Sequence, residues 1–269
     1  MKIDLHTHSN YSDGMNSPEG LIKLARDRGI EYFSITDHDN VDAYKQLKKK
    51  KTDLTGIELI PGVEVSSFYK DLDIHILGYF IDPFDKKFNL MLKEIQNERV
   101  NRAKKIVQKF REMGINITLN RLFELSGGAN VIGRPHIARA VVEGGYCSDV
   151  NEVFRLYLGD NGPAFVAKDI LAPSEAIREI HRVGGIAFLA HPSKIDNDDI
   201  VKEIIAMGID GLEVYYLKHS YDTIQHYAKM ADENGLMMSG GTDLHDYDYN
   251  NSDWNSFFVP KETIISMQE

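Results

Sequence analysis

The chain has 269 residues, 42% of them hydrophobic and 27% charged, a formal net charge of −10 and one cysteine, Cys147. That length suits one large domain, or one domain with an insertion; the lone cysteine excludes an internal disulfide and a thiolate cluster, and the acidic balance argues against unspecific binding to duplex DNA. No apolar run approaches the ~20 residues of a membrane span, and polar Asp4, His6 and His8 stand where the apolar stretch of a signal peptide would be, so a reducing cytoplasm is the expected location.

Ile3 and Leu5 open a buried strand that ends in His6-Thr7-His8. Side chains alternate along a strand, so His6 and His8 point to one side and can hold one metal ion together. Asp13 follows in a loop marked by Ser12 and Gly14. Ser17 and Pro18 start a helix with Leu21, Ile22, Leu24 and Ala25 on one side, closed by Gly29. Residues 31–36 read as a second strand, followed by Asp37-His38-Asp39. Strand, helix, strand at this spacing is a βαβ unit with parallel strands. Lys48-Lys49-Lys50-Lys51 reads as a solvated helix end. Residues 57–65 read as a third strand ending at Glu64, and 73–80 as a fourth carrying His75. Glu64 lies between Val63 and Val65, where a bare charge would be costly.

A long helical pattern covers 85–112, and then the rhythm breaks. Three short helical patterns follow, Leu119 to Leu125, Arg134 to Val142 and Val150 to Leu158, punctuated by Gly127-Gly128 and Gly144-Gly145. They read as a helical insertion, 101–167, between two α/β segments, 1–100 and 168–269. Within it, Gly133-Arg134-Pro135-His136 places Arg134 and His136 at a helix start. That setting suits phosphate; a surface salt bridge is the even alternative for Arg134.

The rhythm resumes with a helix opened by Pro173-Ser174-Glu175 and a strand, 186–190, ending in His191-Pro192. A helix at 197–207, a strand at 210–216, a helix at 219–234 and a strand at 236–241 follow, the last ending in Thr242-Asp243-Leu244-His245. Asp243 and His245 are again an i, i+2 pair. His181 and His226 read as ordinary helix positions. His6, His8, His38, Glu64, His75, His191, Asp243 and His245 all stand at or near the C-terminal end of an expected parallel strand, with Asp13 close by. Loops at that end of a (β/α) barrel converge on one pocket. Nine nitrogen and oxygen ligands exceed what one ion takes. They suit two or three ions sharing a bridging carboxylate, with Glu64 the natural bridge; Mn²⁺, Fe²⁺ and Zn²⁺ fit such a set.

These residues carry a resemblance. Asp4-Leu5-His6-Thr7-His8, Ser12-Asp13-Gly14, Thr36-Asp37-His38-Asp39, Gly62-Val63-Glu64, His75-Ile76-Leu77-Gly78-Tyr79, Ala190-His191-Pro192 and Gly241-Thr242-Asp243 with His245 resemble, in order, the polymerase and histidinol phosphatase (PHP) superfamily. Gly133-Arg134-Pro135-His136-Ile137-Ala138, with Tyr157-Leu158-Gly159 downstream, is similar to its phosphoesterases that act on nucleoside 3′,5′-bisphosphates and, in some members, trim the 5′ ends of short RNA.

The resemblance implies an α/β fold, a distorted (β/α)7 TIM-like barrel with the helical insertion capping a trinuclear metal site. It places His6, His8, Glu64 and Asp243 on one ion, Asp13, His38 and His245 on a second, and Glu64, His75 and His191 on a third, with Mn²⁺ the first choice. Arg134 and His136 would meet substrate phosphate, and Lys168, Tyr216, Lys218 and His219 are further candidates at the same mouth. The implied chemistry is attack on phosphorus by hydroxide held between metals, with His191 or a metal-bound water as acid for the leaving oxygen. The expected activity releases phosphate from a nucleotide. The expected partner is a small phosphorylated substrate or a short single-stranded RNA end, with neither duplex DNA nor a membrane. Histidinol-phosphate phosphatase and a catalytically silent metal-binding module are the alternatives.

Overall fold

The computed structural model describes residues 2–126, 132–159, 162–166, 171–246 and 257–268. Two sheets carry an α/β core. β1 (Ile3–Asp4), β2 (Tyr32–Phe33) and β3 (Glu58–Leu59) pair in parallel, in that order. β4 (Gly62–Tyr69), β5 (Leu72–Tyr79), β6 (Ile186–Leu189), β7 (Gly211–Tyr216) and β8 (Met237–Gly241) form the second sheet, also in sequence order. The sheets are tied on both sides. Leu5 N–H donates to Gly240 O and Asp243 N–H to His6 O on one; Asp39 N–H donates to Glu64 O and Glu64 N–H to Asp37 O on the other. The strand ends that bear the candidate site therefore adjoin.

The expectation of parallel strands fails at Glu64 and His75. β4 and β5 are an antiparallel hairpin, and β5 runs antiparallel to β6. The run read as one strand, 57–65, is two, separated at Ile60 and Pro61. The hairpin closes at Lys70 and Asp71, both left-handed with φ 47° and 65°. Turns of that shape are usually announced by Asn or Gly, and neither is present. The hairpin register sets Ser66 opposite His75. Glu64, two residues from Ser66, lies on the same face and diagonal to His75, within side-chain reach.

Helices pack on the sheets: α1 (Pro18–Asp27), α2 (Asp42–Lys50) and the first half of α3 (Lys86–Glu112), then α7 (Pro173–Arg182), α8 (Asp198–Ile205) and α9 (Tyr221–Glu233). Ser17 Oγ accepts from Gly20 N–H at 3.1 Å, so α1 begins where its Ser-Pro signal sets it. Lys48, Lys49 and Lys50 are exposed in the last turn of α2. α3 runs through two cores. Phe88, Leu92 and Ile95 join the sheet core; Ala103, Ile106 and Phe110 join a second apolar cluster with α4 (Leu119–Leu125), α5 (Arg134–Glu143) and α6 (Val150–Val153). The pattern expected at 150–158 is α6 followed by one π turn, Phe154–Leu158. α10 (Glu262–Gln268) covers Ile3 and Leu5 in a third cluster. Among the described residues no helix is long and apolar enough to cross a membrane.

One buried ion pair ties α3 to the strand ends. Asp39 accepts from Arg99 Nε at 2.6 Å and from Ser66 N–H at 2.7 Å, and Arg99 also donates to Ser66 Oγ. Replacing Arg99 with Met strands a buried carboxylate, which costs about 3–5 kcal/mol. The unfolding midpoint in urea is expected to fall accordingly; a loss under about 1 kcal/mol would mean that Asp39 finds another partner.

Candidate metal centre

Strand geometry delivers the first two imidazoles. His6 and His8 leave the end of β1 on one face, and β8 approaches so closely that a Cβ on Gly241 would lie 2.3 Å from His6 Cβ. Glu64 sits at the middle of the site, fully buried. Its Oε2 lies 3.2 Å from His6 Nε2, 3.2 Å from His8 Nε2 and 3.0 Å from His38 Nδ1. Its Oε1 lies 2.7 Å from His75 Nδ1 and 3.1 Å from His191 Nε2. Asp243 Oδ1 is 3.4 Å from His6 Nε2 and 3.2 Å from His8 Nε2, while Asp13 Oδ1 is 3.2 Å from His245 Nε2. All nine side chains singled out as metal ligands therefore meet in one place.

Their orphaned atoms fit a cation. His8 Nε2, Asp13 Oδ1 and His38 Nδ1 are buried and make no hydrogen bond among the described residues. Buried polar atoms are rarely left so. Their lone pairs converge on shared points instead of pairing along hydrogen-bond lines. Three groups have ligand atoms mutually within 4.8 Å: His6, His8, Glu64 and Asp243; His8, Asp13, His38 and His245; and His38, Glu64 and His75. The first matches the implied set. In the second and third, His8 and His38 are shared between neighbouring points, and His191 approaches the third through Glu64. Imidazole nitrogens and carboxylate oxygens suit Mn²⁺, Fe²⁺ or Zn²⁺.

The electrostatics follow from crowding. Burial pushes the Glu64 carboxyl up, but His38, His75 and His6 hold it well below the usual carboxylate range. Asp13 and Asp243 are buried too, and are held low by His245 and His38 in one case and by His6 and His245 in the other. His8 is desolvated, yet Asp243 and Glu64 raise it to about 10. Burial carries His38 well below its ordinary value. Burial and Lys194 take His191 down to about 4, so it is a neutral imidazole at pH 7. That state suits a ligand and not the acid that the sequence left as one choice.

Three further acids hold the loops. Asp4 accepts from Thr242 N–H at 2.9 Å and Thr242 Oγ1 at 2.7 Å. Asp37 accepts from Ser9 N–H, Ser9 Oγ and Ser12 Oγ at 2.7, 2.6 and 2.6 Å, and so fixes the turn that carries Asp13. Asp39 is the partner of Arg99. Sequence reasoning placed these acids in motifs but gave them no role; their signal was a carboxylate beside each histidine-bearing strand end. It also missed Glu213, in β7, and Lys194. Lys194 Nζ donates to Asp243 Oδ2 at 3.0 Å and lies 5.2 Å over the Tyr216 ring.

A cleft of about 620 Å³ opens above the cluster, walled on the other side by α3 and α5. Arg134 lines it, and its Nη2 donates to Asp73 Oδ2 at 2.9 Å, so both readings of Arg134 have support: it joins α5 to β5 and faces the cleft. His136 also lines it, but Nδ1 accepts from Gly133 N–H at 3.0 Å and burial lowers its pKa to about 4, so it caps α5 as a neutral ring. Lys218 lines the cleft. The Tyr216 hydroxyl donates to Asp243 Oδ2 at 3.1 Å. His219 is turned into the protein, donating from Nδ1 to Val214 O at 2.9 Å and stacked on Tyr227, and this overturns its expected place at the mouth. Lys168 lies outside the described residues.

An α/β fold with a histidine-carboxylate cluster under a cation-lined cleft defines a class, the metal-dependent hydrolases of phosphoric esters, and this chain is one of them. The family model described as the PHP domain matches residues 4–143, and the chain belongs to that family. It is 32% identical over 248 residues, 90% of this chain and 87% of the relative, to a 3′,5′-nucleoside bisphosphate phosphatase of Chromobacterium violaceum. It is 33% identical over 249 residues, 91% and 90% of the two chains, to a 5′-3′ exoribonuclease of Haemophilus influenzae. A solved structure of a C. violaceum amidohydrolase with bound sulfate superposes with a TM-score of 0.82 at 30% identity, covering 94% of this chain and 89% of that one.

Proposed function

We propose that this chain, in the cytoplasm, hydrolyses a nucleoside 3′,5′-bisphosphate to the monophosphate and inorganic phosphate, and trims short RNA from its 5′ end by the same chemistry. The observation that carries the reading is the cleft itself. The nine-residue cluster forms its floor, and Arg102, Arg134 and Arg139 stand on its far side, with room for a nucleotide between. A substrate with two phosphates would present one to each wall. The names of the relatives, a bisphosphate phosphatase and an exoribonuclease, support the same substrate class.

In this reading residues 101–167 are a cap, and 1–100 with 168–269 are a distorted (β/α)7 barrel whose seams are the bridges between the two sheets. Three divalent ions, Mn²⁺ first, would be held by His6, His8, Glu64 and Asp243, by Asp13, His38 and His245, and by Glu64, His75 and His191. Bound ions supply Lewis acidity to the phosphoryl oxygens and an acidified water at neutral pH. The protein's own part is to orient and to neutralise. Glu64 offers one oxygen to each side of the cluster. Arg134, steadied by Asp73, and Arg139 balance phosphate charge as it shifts toward the leaving oxygen.

The test is phosphate release from adenosine 3′,5′-bisphosphate with Mn²⁺, run beside AMP, histidinol phosphate and a chelator control. Release from the bisphosphate alone, abolished by the chelator, is expected. Release from histidinol phosphate alone would keep the metal centre and overturn the role of the cap. Release from none of them would leave RNA trimming to be assayed on a 5′-labelled oligonucleotide.

A further inference from the structure

Glu213 is fully buried inside β7, between Leu212 and Val214. The register of β7 on β8 slips there: Glu213 pairs with Ser239 and Tyr215 with Gly240, which leaves Val214 as an extra residue. On a regular strand, residues 213 and 216 would face opposite sides. The bulge turns both toward the metal centre. Tyr216 reaches Asp243, and Glu213 reaches two of the candidate ligands at once. Its Oε1 lies 2.8 Å from His6 Nδ1, and its Oε2 accepts from His191 N–H at 2.7 Å.

Each contact has a consequence. An ionised carboxylate only accepts hydrogen bonds, so the contact with His6 sets the proton on Nδ1. The lone pair is left on Nε2, the atom that faces Glu64 and Asp243. His191 has a left-handed backbone, φ 30° and ψ 62°, unusual for a residue with a side chain. Such conformations persist only where the surroundings fix them, and the bond to Glu213 is one restraint. From that bend His191 Nε2 comes within 3.1 Å of Glu64 Oε1, while His6 Nε2 lies near Glu64 Oε2.

We infer that Glu213 is a positioning residue, which sets the tautomer of His6 and the backbone of His191 so that the two imidazoles present lone pairs on opposite sides of Glu64. This rests on the metal-centre reading above, though on none of its claims about substrate. The alternative is a buried charge partner of a protonated His6, with no part in binding metal.

The experiment is titration of the chelated full chain with Mn²⁺ against a competing chelator dye, for the unmodified protein and Glu213→Gln. The amide cannot accept from both N–H groups. It must meet either His191 or His6 with its own donor, and in the second case the His6 proton moves to Nε2. Mn²⁺ affinity is expected to fall 10- to 100-fold with the circular dichroism spectrum retained. Unchanged affinity in a folded Glu213→Gln would overturn the inference and leave the metal centre standing. Absence of Mn²⁺ binding by the unmodified chain would remove the metal centre and the inference together. If Glu213→Gln does not fold, ¹⁵N spectra of the Zn²⁺-loaded unmodified chain decide: His6 protonated at Nδ1 supports the assignment, and protonation at Nε2 refutes it.

Discussion

Asp13→Ala and His38→Ala are each expected to lower phosphate release by more than a hundredfold while leaving the protein folded. The size follows from position. Loss of an outer partner of a ligand costs about 10- to 100-fold, and these two would bind the ion directly. The intact fold follows from what they lack: Asp13 Oδ1 and His38 Nδ1 make no hydrogen bond among the described residues, so little else depends on them. Elsewhere in the same cluster the result should differ. Glu64 faces five imidazoles, and its loss would leave them crowded and uncompensated in a buried space. Turnover, metal content per chain and circular dichroism are measured together. Near-normal turnover in both Ala variants with unchanged metal content would remove the ligand assignment.

The ligands were legible because strands alternate. His6 with His8, and Asp243 with His245, declare a shared face from spacing alone, and Glu64 stands out as a charge in an apolar run. Topology was less legible. A hairpin closed by Lys70 and Asp71 has no Asn-Gly signature, so β4 and β5 read as parallel strands. The site survived that error because Glu64 and His75 are diagonal neighbours on one face of the hairpin. The supporting shell was hardest to read. Glu213 is as exceptional in its apolar strand as Glu64, but only the slip of β7 on β8 shows that it faces His6. Asp4, Asp37 and Asp39 differ from ligands only in what they touch, and their partners lie 25 or more residues away. His219 shows the converse, a residue beside a loop whose ring is drawn inward by a carbonyl five positions back.

Removing the metal should change the pH at which the protein is most stable, and the direction can be worked out from the cluster. In the metal-free chain His8 is raised from 6.5 to about 10, and His6 is raised well above its ordinary value; despite desolvation, the surrounding acids account for both. A raised imidazole stabilises the fold below about pH 6.5, and that contribution is lost as pH climbs toward 10. His38 and His191 are lowered, mainly by burial, so they oppose folding once pH drops below about 6.5 and unfolded histidine takes up protons. Asp13, Glu64 and Asp243 are depressed, and their contribution fades as pH falls below about 4. The chelated chain is therefore expected to melt highest near pH 6.5 and lower on either side. Metal binding needs neutral imidazoles, so it strengthens as pH rises. At a hundredfold excess over Kd it adds about 2.7 kcal/mol. The gap in melting temperature between Mn²⁺-loaded and chelated protein should thus widen from pH 5.5 to 8.5, with phosphate release lost throughout the chelated series. Equal melting temperatures at every pH would mean that the cluster is held together by its own charges, and that the orphaned nitrogens and oxygens await no ion.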